Sequence, residues 1–296
     1  MRIVRIVAAA TGLIAASVLL GVFAAAASAS ARVAPTPTQQ WSGYAVTNPT
    51  GNAGGFTRVT ATWKQPKATC RTGAGSAAFW VGLGGFTSDS NKIEQIGAAS
   101  DCTSANKPKY YAWYDLPPNA GVILSLRVRP ADVMTASVRM NASKTQVSLR
   151  IANTTTGMAY STRLPVFSPD VTSAEWITEA PSECDQYGFC QSTPLADFGQ
   201  VSFTKISAGT ASYQGSITDP RWQSTAIELV PGTHTSRYFP EAAGAKATTS
   251  RAGAVPNGLT AAGNEFGVKW KADIEGSQPA PAPASPGTYV AGPRRP

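Results

Sequence analysis

The sequence predicts an all-β protein, an antiparallel two-sheet β-sandwich. From Trp41 to about Trp270, short runs of β-branched and aromatic residues alternate with Gly, Pro, Asn and Ser turns. Helix-period segments are almost absent beyond the first 31 residues, and no internal repeat is present. Many strands without interleaved helices bury their apolar faces most simply as two packed antiparallel sheets, a barrel being the competitor.

Taken in order, residues 1–31 carry Arg2 and Arg5, an apolar run and an Ala/Ser-rich end, the layout of a secretory signal peptide rather than a membrane anchor. Residues 32–40 form a short lead-in. Expected strands follow at 56–66, 78–85, 92–98, 109–116, 121–129, 132–140, 145–153, 174–179, 200–206, 225–230 and 265–270. The folded domain is expected over 41–275, ample for a large core. The Pro/Ala-rich stretch 276–296 is expected to be a disordered tail.

Alternation says where side chains point. In Asp132–Met140, Met134, Ala136, Val138 and Met140 share a dry face, with Val133, Thr135, Ser137 and Arg139 on the wetter one. In Ser173–Pro181, Glu175, Ile177 and Glu179 share one face, and the two glutamates lie roughly 13 Å apart on a strand. They are too distant to share a proton, so any chemistry needs a partner from elsewhere.

The formal charge is +8, but Arg2 and Arg5 leave with the signal, and Arg294 and Arg295 sit in the tail. The remaining Lys and Arg are scattered singly, so no nucleic-acid partner is expected. Four cysteines in an exported chain read as two disulfides with three possible pairings. Cys184–Cys190 is the favoured local one, which leaves Cys70 with Cys102. No Cys-x-x-Cys spacing with nearby His suggests a metal, and neither metal nor organic cofactor is expected.

The single histidine, His234, sits in a turn without a Gly-x-Ser-x-Gly elbow, and neither His-Glu-x-x-His nor an Asp-Thr/Ser-Gly motif is present. What remains is carboxylate or amide chemistry framed by aromatics. Trp41, Trp80 and Trp113 recur in related settings, and Tyr111 shares a strand face with Trp113. Such a wall of rings suits an extended polymer.

The ordered set WSGYAV, FTRVTATWKQP, AFWVGLGG, IEQIG, YYAWYDLPP, AEWITE and ADFGQVSF, spanning about Trp41 to Ile206, resembles the glutamic peptidases, the eqolisin or G1 family, in a bacterial-type version. The resemblance implies a concanavalin-like sandwich and a secreted, acid-acting endopeptidase that works as a monomer on protein or peptide substrates, with no membrane attachment once the signal is gone. It implies Gln95 and Glu179 as the catalytic pair, with Glu175 a supporting or structural acid, and Trp41, Trp80 and Trp113 as substrate contacts. Amide hydrolysis needs a base for water, a donor to the oxyanion and an acid for the leaving amine, and these two side chains can supply all three. This chain departs from fungal members at Gly84, Tyr111 and Asp115, where they have Asp, Asp and Glu. A carbohydrate-active sandwich, with Asp115 as second acid, and an inactive binding module are the rival expectations.

Overall fold

The computed structural model describes residues 34–38, 40–49, 54–70, 74–87, 92–103, 107–119, 121–184, 190–230, 232–234, 248–250 and 252–272. The expected signal segment and Pro-rich tail lie outside these residues.

Twenty strands follow one another without an intervening helix among the described residues. They are β1 (Thr36–Thr38), β2 (Trp41–Thr47), β3 (Arg58–Lys64), β4 (Gly75–Leu83), β5 (Glu94–Cys102), β6 (Pro108–Asp115), β7 (Val122–Ile123), β8 (Val133–Met140), β9 (Gln146–Asn153) and β10 (Met158–Pro165). After these come β11 (Ser173–Glu179), β12 (Ser182–Cys184), β13 (Cys190–Ser192), β14 (Gln200–Gly209), β15 (Gln214–Gly215), β16 (Gln223–Leu229), β17 (Gly232–His234), β18 (Thr248–Ser250), β19 (Gly253–Asn257) and β20 (Phe266–Lys271).

The main hydrogen-bonded path runs β10-β9-β8-β3-β14-β20-β19-β16-β2-β11-β4-β5-β6-β7. It folds over on itself at a seam where β16 and β19 are registered only through Leu229 and Ala254. The expected two sheets are therefore two halves of one curled sheet. Val59, Ala61, Met134, Val138 and Leu149 of one half meet Phe79, Val81, Ile96, Ala98 and Trp176 of the other in the main core. The alternation read in β8 holds: Met134, Ala136, Val138 and Met140 are buried, while Arg139 is exposed.

The strand expected at 121–129 is laddered only over Val122–Ile123. Leu124, Leu126 and Val128 are buried at alternate positions, so the hydrophobic pattern is kept where ladder pairing is not. Cys70 and Cys102 are disulfide-bonded. The hairpin register sets Cys184 across from Cys190, but their side chains, like that of His234 in β17, lie outside the described residues.

Candidate active site

The central strands of the second half-sheet, β2, β11, β4 and β5, are buried on both faces. All seven residues of β11 are buried, because Ala174 and Trp176 enter the main core while Ile177 joins a second cluster with Trp41, Ala45, Ala78, Trp80, Ile93 and Ala99. Register fixes which side chains share that second face. One row runs Trp41, Glu179, Ala78, Ala99, Tyr111 across β2, β11, β4, β5 and β6. The next is Gly43, Ile177, Trp80, Gly97, Trp113, and the third is Ala45, Glu175, Gly82, Gln95, Asp115. Period-two alternation puts all three rows on one side of the half-sheet. Gln95, Glu179, Trp41, Trp80 and Trp113 thus share a face.

Gln95 and Glu179 are displaced from one another in register, the first opposite Gly82 and the second opposite Ala78. Trp80 occupies the row between them. Its Nε1 donates to Glu179 Oε2 at 2.8 Å, and its ring stands edge-on to Trp41, with centroids 5.0 Å apart at 78°. Glycine is required beside it. A Cβ at Gly97 would lie 2.2 Å from the Phe79 carbonyl oxygen and 2.6 Å from Trp80 Cβ. Gly97→Ala is therefore expected to cost at least about 2 kcal/mol of stability, read in a urea titration; a wild-type midpoint would show that the rows can separate.

Asp115 links the two ends of the face. Gln95 Nε2 makes a long 3.5 Å contact to Asp115 Oδ2, and the negative charge of Asp115 reaches Glu179. Burial pushes the Glu179 carboxyl up from 4.5 to about 7, with indole hydrogen bonds from Trp80 and then Trp41 opposing and Asp115 adding to the rise. Burial likewise raises Asp115 to about 6, against a backbone hydrogen bond at Leu116 and the one from Gln95. Gln95 Oε1, Asp115 Oδ1 and Trp113 Nε1 are buried with no partner among the described residues. Each such atom costs about 1–3 kcal/mol when desolvated without a hydrogen bond, and a polar ligand would satisfy them.

Glu175 is fully buried, against the solvated position usual for a strand glutamate. Gly84 has φ +82, and a Cβ there would lie 2.6 Å from the Asp170 carbonyl oxygen, so this position has no room for a side chain. The sequence reading left open any part for Asp115, and its contact with Gln95 could be found only from the pairing of β5 with β6. No cluster of three potential metal ligands occurs among the described residues.

Residues 39–236 match the Peptidase A4 family. The chain belongs to that family and is a peptidase. The resemblance to the glutamic peptidases read from the motifs is borne out. Among solved structures, scytalido-glutamic peptidase with a transition-state analogue inhibitor matches at 23% identity and TM-score 0.58, covering 79% of this chain and 98% of that one. SCP-B, an eqolisin-family peptidase in complex with the tripeptide Ala-Ile-His, matches at 22% identity and TM-score 0.56 with the same coverage. These two likenesses establish the shared sandwich fold. Among curated proteins, none matches. No helix among the described residues of this A4-family peptidase is long and apolar enough to cross a membrane.

Proposed function

We propose that the chain is a secreted glutamic endopeptidase acting in acid as a monomer, with residues 1–31 removed as a signal and 41–275 forming the peptidase domain. Glu179 takes a proton from water as that water attacks the scissile carbonyl carbon. The side-chain amide of Gln95 donates to the developing oxyanion. Glu179 then returns the proton to the departing amine as the C–N bond breaks, which regenerates the carboxylate. Glutamine does not titrate, so it remains a donor at any working pH. Trp113, half-buried, is the ring beside which an extended peptide lies, with Trp41 and Trp80 buried behind it to support Glu179, and the polar backbone of the peptide meets the orphaned atoms of Gln95, Asp115 and Trp113. The observation that carries this reading is the common face of Gln95, Asp115 and Glu179, with Trp80 donating to the glutamate.

Base catalysis in acid requires a carboxylate, yet burial holds Glu179 neutral up to about 7 before substrate binds. In the complex, hydrogen bonds from the bound water and from peptide N–H groups, added to the indole bonds already present, bring that pKa down. Hydrolysis of a fluorogenic peptide should therefore show kcat/KM, which reports the free enzyme, rising with pH towards a limb near 7. The kcat profile should stay high well into acid. Coincident limbs in the two profiles would contradict the substrate-driven shift, and no peptide cleavage between pH 2 and 8 would remove the proposal.

A further inference from the structure

We propose that the outer face of β3, β8, β9 and β10 docks an extended polymer of phosphate diesters. The sequence scatters its arginines, but the fold collects four of them here. Arg58, Arg139, Ser148 and Arg163 lie in one register row, and Thr60, Ser137, Arg150 and Ser161 in the next. Arg139, Arg150 and Arg163 are exposed. Together with Ser137, Ser148, Ser161 and Thr162 they line an open groove of about 410 Å³.

The face carries no counter-charge of its own. β3, β8, β9, β10 and the adjoining β14 contain no Asp or Glu, and no carboxylate pairs with these arginines among the described residues. Arg58 and Arg139 stand directly opposite on neighbouring strands, a like-charge placement that destabilises a sheet. Arg58 is held by the Thr210 carbonyl at 2.7 Å, and Arg150 donates to Ser161 Oγ at 3.0 Å, while Arg139 and Arg163 point outward on either side of Ser148. Neighbouring strands lie about 4.8 Å apart, so these two guanidinium stems emerge roughly 10 Å apart across the groove.

Guanidinium forks flanked by hydroxyls match phosphate oxygens. The outward positions carry no aromatic ring, so there is no stacking platform for nucleobases. Among the exposed large apolar residues, Val122 and Ile123 lie in β7 on the other half-sheet and Met158 sits in an inward row of β10, which leaves Phe167, past the end of β10, as the one apolar ring near this face and too little to anchor it in a bilayer. Phosphate diesters stay ionised in acid, where carboxylate polymers lose charge; this step rests on the acid action proposed above. The ligand is therefore a base-free sugar- or polyol-phosphate chain of the kind an exported protein meets outside the cell.

The test is titration of the full chain with synthetic poly(glycerol phosphate) at pH 4 and pH 7 over 50–200 mM salt, followed by fluorescence anisotropy. Binding at both pH values is expected, with affinity falling as salt rises. Replacing Arg139, Arg150 and Arg163 together by Gln should weaken binding roughly tenfold or more and flatten the log–log salt slope by about 2. Peptide hydrolysis should be unchanged, because the site lies on the other half-sheet. If the triple variant does not fold, Arg139→Gln alone should still flatten the slope by about 0.7. Absence of binding, or binding indifferent to these changes, overturns the proposal. So does tighter binding of polygalacturonate, oligothymidylate or phosphatidylglycerol vesicles under the same conditions. Binding without any peptidase activity would leave this face standing and remove the catalytic reading instead.

Discussion

Glu179→Gln is expected to abolish peptide hydrolysis, lowering kcat/KM by at least about a thousandfold, while leaving the fold intact. The amide has nearly the shape of the carboxyl and retains an oxygen to accept from Trp80 Nε1, which now reaches Glu179 Oε2 at 2.8 Å. It cannot take a proton from water. Gln95→Ala removes the proposed donor to the oxyanion and should cost about a hundred- to a thousandfold. The two losses should not multiply in the double variant, because both side chains serve one transition state. Single-turnover assays on one peptide read all three, and melting curves confirm folding. More than about a tenth of wild-type activity in the Glu179 variant would reject the assignment.

The protein should be most stable in acid and lose stability as pH rises from about 4 to 8. Burial raises four carboxyls, three of them far: Glu94 from 4.5 to about 8, with the charge of Asp170 adding to the rise, Glu179 to about 7, and Asp115 to about 6, while the rise at Glu228 is opposed by Lys271. A carboxyl whose pKa is raised by folding binds its proton more tightly in the native state than in the unfolded chain. Its contribution is fully present below the unfolded value near 4 and is lost as pH climbs through the folded value. Asp219, lowered by a bidentate hydrogen bond from Arg221, has the opposite sign, but the guanidinium is open to solvent screening and this one group is outweighed by the three large shifts. Together the three groups amount to several kcal/mol, or roughly 10 °C in Tm for a domain of this size. Calorimetry at pH 4 and pH 8 measures it, and Glu94→Gln should remove the largest share. A flat profile, or one that rises with pH, would mean that these groups are hydrated in solution.

How much of this was legible depended on whether a signal is local. Period-two patterning located most long strands, including β8, β9 and β11, and placed Glu175, Ile177 and Glu179 on one face before any fold was known. It missed β2, which is buried on both faces and so shows no alternation, β10, whose residues alternate only between exposed and half-buried at a sheet edge, and β19, a short strand whose run is broken by Pro256. The tryptophans announced a wall, but the row that sets Trp80 between Glu179 and Gln95 exists only once β11 pairs with β4 and β4 with β5. Lys and Arg counts concealed the basic face for the same reason. Arg58 and Arg163 are far apart in the chain and become neighbours of Arg139 and Ser148 only through cross-strand register.

The position of β11 between β2 and β4 has a consequence for timing. The segment 41–83 supplies two staves of the cleft with a gap between them, and that gap is filled only when residues 173–179 arrive. Contacts this remote in sequence form late. If Gln95 and Glu179 act together as proposed, a chain in which residues 173–179 have not yet docked holds the indoles and the glutamine without the glutamate, and peptide cutting begins only when that segment pairs with both neighbours.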